Sequence, residues 1–155
     1  MKLDPTDLRI LKVLQEDSGI SNVELAKKVS LSASPTLARV KQLEAGKVIS
    51  RYVALVDPPM LGLKMNVFIQ VSLEKQESAA LARFEQAVSH FDEVMEVYLM
   101  TGDADYLLRI VVPDIQALEG FILNHLTRIP GIKNIRSSFA LKQVKYKTAL
   151  PIGSA

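Results

Sequence analysis

Only Ser30 and Leu31 stand between the end of one short helical pattern, SNVELAKKV, and Ser32, which opens the next. So tight a turn forces the two helices to cross, each giving one face to the other. Ser21 with Glu24 makes a capping box and Ile20 with Leu25 a hydrophobic staple, so the first of the pair starts at Ser21. Ser32 caps the second, and Pro35 falls in its first turn, where a missing N–H does least harm. A third helix precedes them. Asp4 caps it, Pro5 holds its first position, Asp7 lies three residues past the cap, and Leu3 and Leu8 form a staple. Its apolar face of Leu8, Ile10, Leu11 and Leu14 runs to the break at Asp17-Ser18-Gly19. Three short helices with the tight turn between the second and third describe a helix-turn-helix, whose last helix enters the major groove of double-stranded DNA.

In that last helix Leu37, Val40 and Leu43 recur every three residues, and the spacing predicts a buried stripe. Ser34, Pro35, Ala38 and Gln42 then lie opposite, with Arg39 and Lys41 on the shoulders. Arg bonds guanine edges or phosphate, Gln pairs with adenine, and small residues allow close approach. With Ser32 and Thr36 of the first turn, these are the candidate DNA-contacting residues. Net charge is only +2, but residues 1–56 hold nine Lys/Arg against six Asp/Glu and residues 57–155 ten against eleven. The basic excess therefore sits with the helices. VISRYVALVD, after Gly46-Lys47, reads as a strand, either the wing of a winged helix or a linker strand, with Arg51 as a further cation. No run approaches the ~18 apolar residues of a membrane helix, and cysteine is absent, so the expectation is a cytoplasmic protein without membrane contact.

The Pro- and Gly-containing stretch at 57–63 predicts a boundary, dividing a DNA-binding domain at 1–56 and a linker at 57–63 from a second domain at 64–155. Met65, Val67, Ile69, Val71 and Leu73 alternate with mostly polar residues, the period of a half-buried strand. A helix over 78–89, strands over 93–101 and 106–112, a helix capped by Asp114 and a strand over 132–145 complete the order β-α-β-β-α-β. That is the ferredoxin-like pattern, so the fold class is α+β. Phe68, with Phe139 or Ala140, predicts that the open sheet face packs on a second subunit.

LDPTDLRIL, ISNVELAKKVSLSASPTLARVKQLE, RYVALVDP and TGDADYLLRIVVPD stand in this order along the chain, which resembles the Lrp/AsnC family of transcription regulators over essentially its full length. The resemblance implies an N-terminal winged helix-turn-helix and a C-terminal ferredoxin-like, ligand-sensing domain. It also implies homodimers that assemble to octamers, as tetramers of dimers, and control by an amino acid. It places the effector against Thr101, Gly102, Asp103, Ala104, Asp105 and Tyr106, with Ser138 on the last strand. Three positions depart from the family pattern. Lys47 and Arg51 stand where glycine is usual, and Ala104 replaces an aromatic, which favours leucine or methionine as effector over glycine.

Asp103 and Asp105 have no His or further carboxylate beside them, so an acid/base or metal pair is not supported. Backbone N–H groups of the glycine-containing turn suit a carboxylate and Asp103 suits an ammonium, the two charges of a free amino acid. No catalytic residue, metal or cofactor is expected, only an amino acid effector. The reading is a sequence-specific transcription regulator. Its alternatives are an architectural DNA-binding protein without an effector and an amino-acid-sensing subunit of an enzyme.

Overall fold

The computed structural model describes residues 2–153 and divides into two units, one formed by the chain up to Leu55 with the segment from Val144 onward, the other by Val56–Gln143. In the first, α1 spans Pro5–Glu16, α2 Asn22–Lys28 and α3 Ala33–Ala45. Both predicted capping boxes form: Asp7 N–H donates to the Asp4 carboxylate at 2.8 Å, and Glu24 N–H to the Ser21 hydroxyl at 3.2 Å. Ile10, Leu25, Val29 and Leu43 are buried together where the helices cross, with Val40 packed against them. The buried stripe of α3 differs from expectation. Thr36 is fully buried whereas Leu37 is 43% exposed. The contact follows positions 36, 40 and 43, the i, i+4, i+7 row of an amphipathic helix.

At the end of α3, Lys47 N–H donates to Glu44 O and Val48 N–H to Leu43 O, the paired bonds of a Schellman ending. Its left-handed position falls on Lys47, at φ 57°, and not on Gly46, at φ −76°. The glycine stands one residue before the place where the backbone calls for it. Lys47→Gly is expected to stabilise this unit by roughly 0.5–1 kcal/mol in urea unfolding, because the left-handed strain outweighs glycine's entropy cost. A loss of stability would show that Lys47 makes a compensating contact.

VISRYVALVD forms no strand. Residues 51–57 carry no ladder bonds, and Tyr52, Val53, Leu55 and Val56 are exposed, because no strand among the described residues pairs with their N–H and C=O groups.

In the second unit β1 spans Met65–Leu73, α4 Ser78–Val88, β2 Val94–Leu99, β3 Tyr106–Val112, α5 Ile115–Asn124 and β4 Ile132–Phe139. The sheet order is β2-β3-β1-β4, with antiparallel neighbours throughout. Val67, Ile69, Val71 and Leu73 bury in one core with Phe84, Val88, Leu118 and Phe121 of the two helices, as the alternation predicts. β4 ends at Phe139, short of the expected Lys145; one further bond, from Ala140 N–H to Asn66 O at 3.0 Å, follows it near the start of β1. The register also corrects the expected face of one aromatic. Phe139 lies opposite Val67, on the helix-covered side, while Ser138 lies opposite Phe68 on the open face. Phe68 shares that face with Leu107, Tyr98 and the Arg109–Glu96 ion pair at 2.9 Å.

Candidate functional site

Two separate places carry chemistry, one in each unit. The first is the outer face of α3. Ser34, Pro35, Leu37, Ala38, Lys41 and Gln42 are all exposed along it, so this flank combines small, polar and basic side chains with one exposed leucine. Asn22 of α2 donates to Ala33 O at 2.8 Å and fixes the N-terminal end of α3. Ser32 occupies the cap with extended backbone, yet its side chain makes no capping bond and stays available. Arg51 is exposed beyond the helix, in a segment tied back to it by the Tyr52 hydroxyl, which donates to Glu44 at 2.8 Å. Partial desolvation of the hydroxyl where it meets Glu44, together with the bond to that carboxylate, pushes the phenol up to about 12, although the residue as a whole is half exposed.

Two expected contacts are corrected. Thr36 points inward and donates to Ser32 O at 2.9 Å, a back-bond that leaves nothing for a groove. Arg39 is not a free base reader: its guanidinium donates to Asp4 at 2.6 Å and to Asp7 at 2.8 Å. It bridges both carboxylates at the start of α1 and joins that helix to α3. Arg39→Lys, a point charge in place of a planar fork, is therefore expected to lower the unfolding midpoint, and Arg39→Ala to lower it further. Neither will alter base preference in competition binding. A changed preference with an unchanged midpoint would return Arg39 to the groove.

The bridge also sets a response to acid. The Asp7 backbone N–H, then Arg39, hold the Asp4 carboxyl below its ordinary value of 3.8. A carboxyl depressed on folding contributes stability above its unfolded value, and that contribution is lost as pH falls through the lower folded value. Acid unfolding of this unit should thus steepen below about pH 4, and Asp4→Asn should flatten that limb.

The second place is a cavity of about 200 Å³ at the turn between β2 and β3. Thr101, Asp103, Ala104 and Tyr106 border it, and Gln70, Met100, Leu107 and Arg136 complete it. Its size suits a small metabolite and falls below the roughly 300 Å³ at which drug-sized sites begin. Gly102, at φ 119°, makes the turn without lining the cavity. Ser138 does not line it either; Arg136, one alternation earlier on β4, does. Arg136 makes no ion pair among the described residues, so its charge is free for an anion.

The two aspartates of the turn have opposite surroundings. Asp103 is exposed at the cavity, whereas Asp105 is buried and accepts from Leu73 N–H at 2.7 Å and from the Gln76 amide at 2.6 Å. The expected effector contact at Asp105 is therefore corrected: both its oxygens serve the fold. Tyr106 is largely structural too. Its ring stacks at 4.5 Å on Phe84, its hydroxyl donates to Glu85 at 2.7 Å, and burial pushes the phenol well above its ordinary range. Among the described residues no group of His, Cys, Asp or Glu is placed to hold a metal, and no helix is long and apolar enough to cross a membrane.

Residues 66–150 match the family described as Lrp/AsnC ligand binding domain, and residues 3–50 match winged helix-turn-helix DNA-binding. The Bkd operon transcriptional regulator of Pseudomonas aeruginosa is 48% identical over 151 residues, covering 97% of this chain and 99% of that protein. The leucine-responsive regulatory protein of Escherichia coli is 39% identical over 150 residues, covering 97% and 92%. A transcriptional regulator of Neisseria meningitidis, solved as a complex with L-methionine, superposes with a TM-score of 0.93 at 40% identity, covering 97% of each chain.

Proposed function

Because the chain belongs to the Lrp/AsnC family of DNA-binding transcription regulators, we propose that its effector is an amino acid with a medium-sized apolar side chain, leucine or methionine, held at the turn cavity. The observation that carries this is the cavity's lining: Arg136 and Asp103 offer opposite charges, and Met100, Leu107 and Ala104 offer apolar surface. Arg136 takes the effector's carboxylate and Asp103 its ammonium. The relatives support the choice of side chain, one being leucine-responsive and another solved with L-methionine. A cavity with two poles gives no advantage to an architectural DNA protein, nor an exposed α3 face to an enzyme subunit.

On the DNA side, Ser32, Ser34, Pro35, Ala38, Lys41 and Gln42 contact the groove and Arg51 a phosphate. The protein works in the cytoplasm as a homodimer closed over the open sheet face around Phe68, and dimers assemble further to an octamer. Ligand shifts DNA binding by favouring one assembly over another. Footprinting on genomic DNA with a panel of amino acids, with light scattering on the same samples, tests this reading. Protection and assembly that respond to leucine or methionine are expected; protection indifferent to every amino acid would overturn the effector assignment.

A further inference from the structure

The segment from Val144 returns to the helical unit and is fastened there. Leu150 N–H donates to the Gln15 side-chain oxygen at 2.7 Å, and the Gln15 amide donates back to Leu150 O at 3.3 Å. Ile152 packs against the core of Ile10, Leu25 and Leu43. Thr148, Leu150 and Ile152 line one apolar cleft with Leu11, Tyr52 and Arg51. Between that anchor and Val144 stand Lys145 and Lys147, both exposed and neither in an ion pair among the described residues. Three residues of extended chain reach about 10 Å, so Lys147 is held close to its anchor at Leu150.

Charge divides more sharply between these two units than between the halves of the sequence. Residues 1–55 hold nine Lys/Arg and six Asp/Glu, and the tail adds Lys145 and Lys147, so the helical unit carries +5. Residues 56–143 hold eight against eleven and carry −3, which restores the total of +2. The tail is thus cationic, docked on the cationic unit, and shares a cleft with Arg51.

We propose that Lys145 and Lys147 form a second phosphate-contacting strip of the DNA-binding unit, set beside Arg51 and indifferent to base sequence. Lysines in an extended segment suit this role, since each reaches a backbone phosphate as a point charge and none reads a base edge in a fixed geometry. The partner is the sugar-phosphate backbone of the same duplex whose groove α3 enters. The strip rests on that placement of α3, which the footprint of the wild-type protein checks separately.

The test uses the full-length double variant Lys145→Gln/Lys147→Gln and measures affinity against salt on a footprinted site and on an unrelated duplex. Affinity should fall by a similar factor on both, and the slope of log K against log salt should shrink by ~0.9 for each lysine removed from a phosphate. Lys145→Arg/Lys147→Arg should keep the wild-type slope. Lys133→Gln, which removes an exposed cation of the other unit, should leave it unchanged. An unchanged slope in the double variant, an equal effect from Lys133→Gln, or a loss explained by altered assembly in light scattering would each overturn the proposal.

Discussion

Asp105→Ala is expected to destabilise the four-stranded unit by about 2–3 kcal/mol, the cost of leaving a buried N–H without the charged acceptor that satisfied it. The N–H is that of Leu73, where the pairing of β1 with β4 slips register between Ser72 and Leu73. Asp105 supplies the acceptor at that slip and holds Gln76, in the connection to α4, with its other oxygen. Asp105→Asn keeps one acceptor but turns an NH2 group toward one of two donors, so its loss should be intermediate. Urea unfolding followed by tyrosine fluorescence measures both. A change within ~0.5 kcal/mol, the range of an ordinary surface substitution, would show that another group accepts from Leu73.

From the sequence alone Asp103 and Asp105 look like equals, because a two-residue spacing says only that both point to one side of an extended chain. What separates them is the partner at Leu73, which lies 32 residues away in sequence. The same limit explains Arg39, whose carboxylates are 35 and 32 residues distant. A basic residue on the shoulder of a DNA-reading helix has two good fates, and local pattern cannot choose between them. Arg136 was invisible for the opposite reason: nothing near it in β4 marks it, and its importance comes from the turn at 101–104 that closes on it. The capping boxes at Asp4 and Ser21 were legible because their chemistry spans three residues. The β-α-β-β-α-β order was legible from period and punctuation, and the strand expected at VISRYVALVD failed because a strand needs a partner as well as a composition. Thr36 took the place of Leu37 in the core by donating its hydroxyl to Ser32 O, so burying it left no donor unpaired.

Arg136→Gln is expected to weaken binding of the amino acid effector by tenfold or more, since a charge-assisted bond to a carboxylate contributes about 1.5–3 kcal/mol. Glutamine keeps a donor and part of the length but not the charge, so residual affinity should remain. Asp103→Asn should reduce affinity through the opposite pole. Neither residue is buried in the core, so neither variant should change the unfolding midpoint, in contrast with Asp105→Ala. The two poles also predict a crossed pattern. An effector amide, which lacks the carboxylate, should bind wild type weakly and lose little more in Arg136→Gln, while an effector whose amine is replaced by hydroxyl should be nearly indifferent to Asp103→Asn. Coupling of this kind is read as non-additivity between a change in the protein and a change in the ligand. Calorimetry with leucine, methionine and these analogues on the three proteins supplies every term. DNA binding without effector should stay close to wild type in both variants, because the residues proposed to contact the groove lie in the other unit. If Arg136→Gln binds leucine and methionine with wild-type heat, the carboxylate is held by the backbone of the turn alone. If instead effector-free DNA binding falls in parallel with effector affinity, Arg136 acts through the assembly of subunits and not through the ligand.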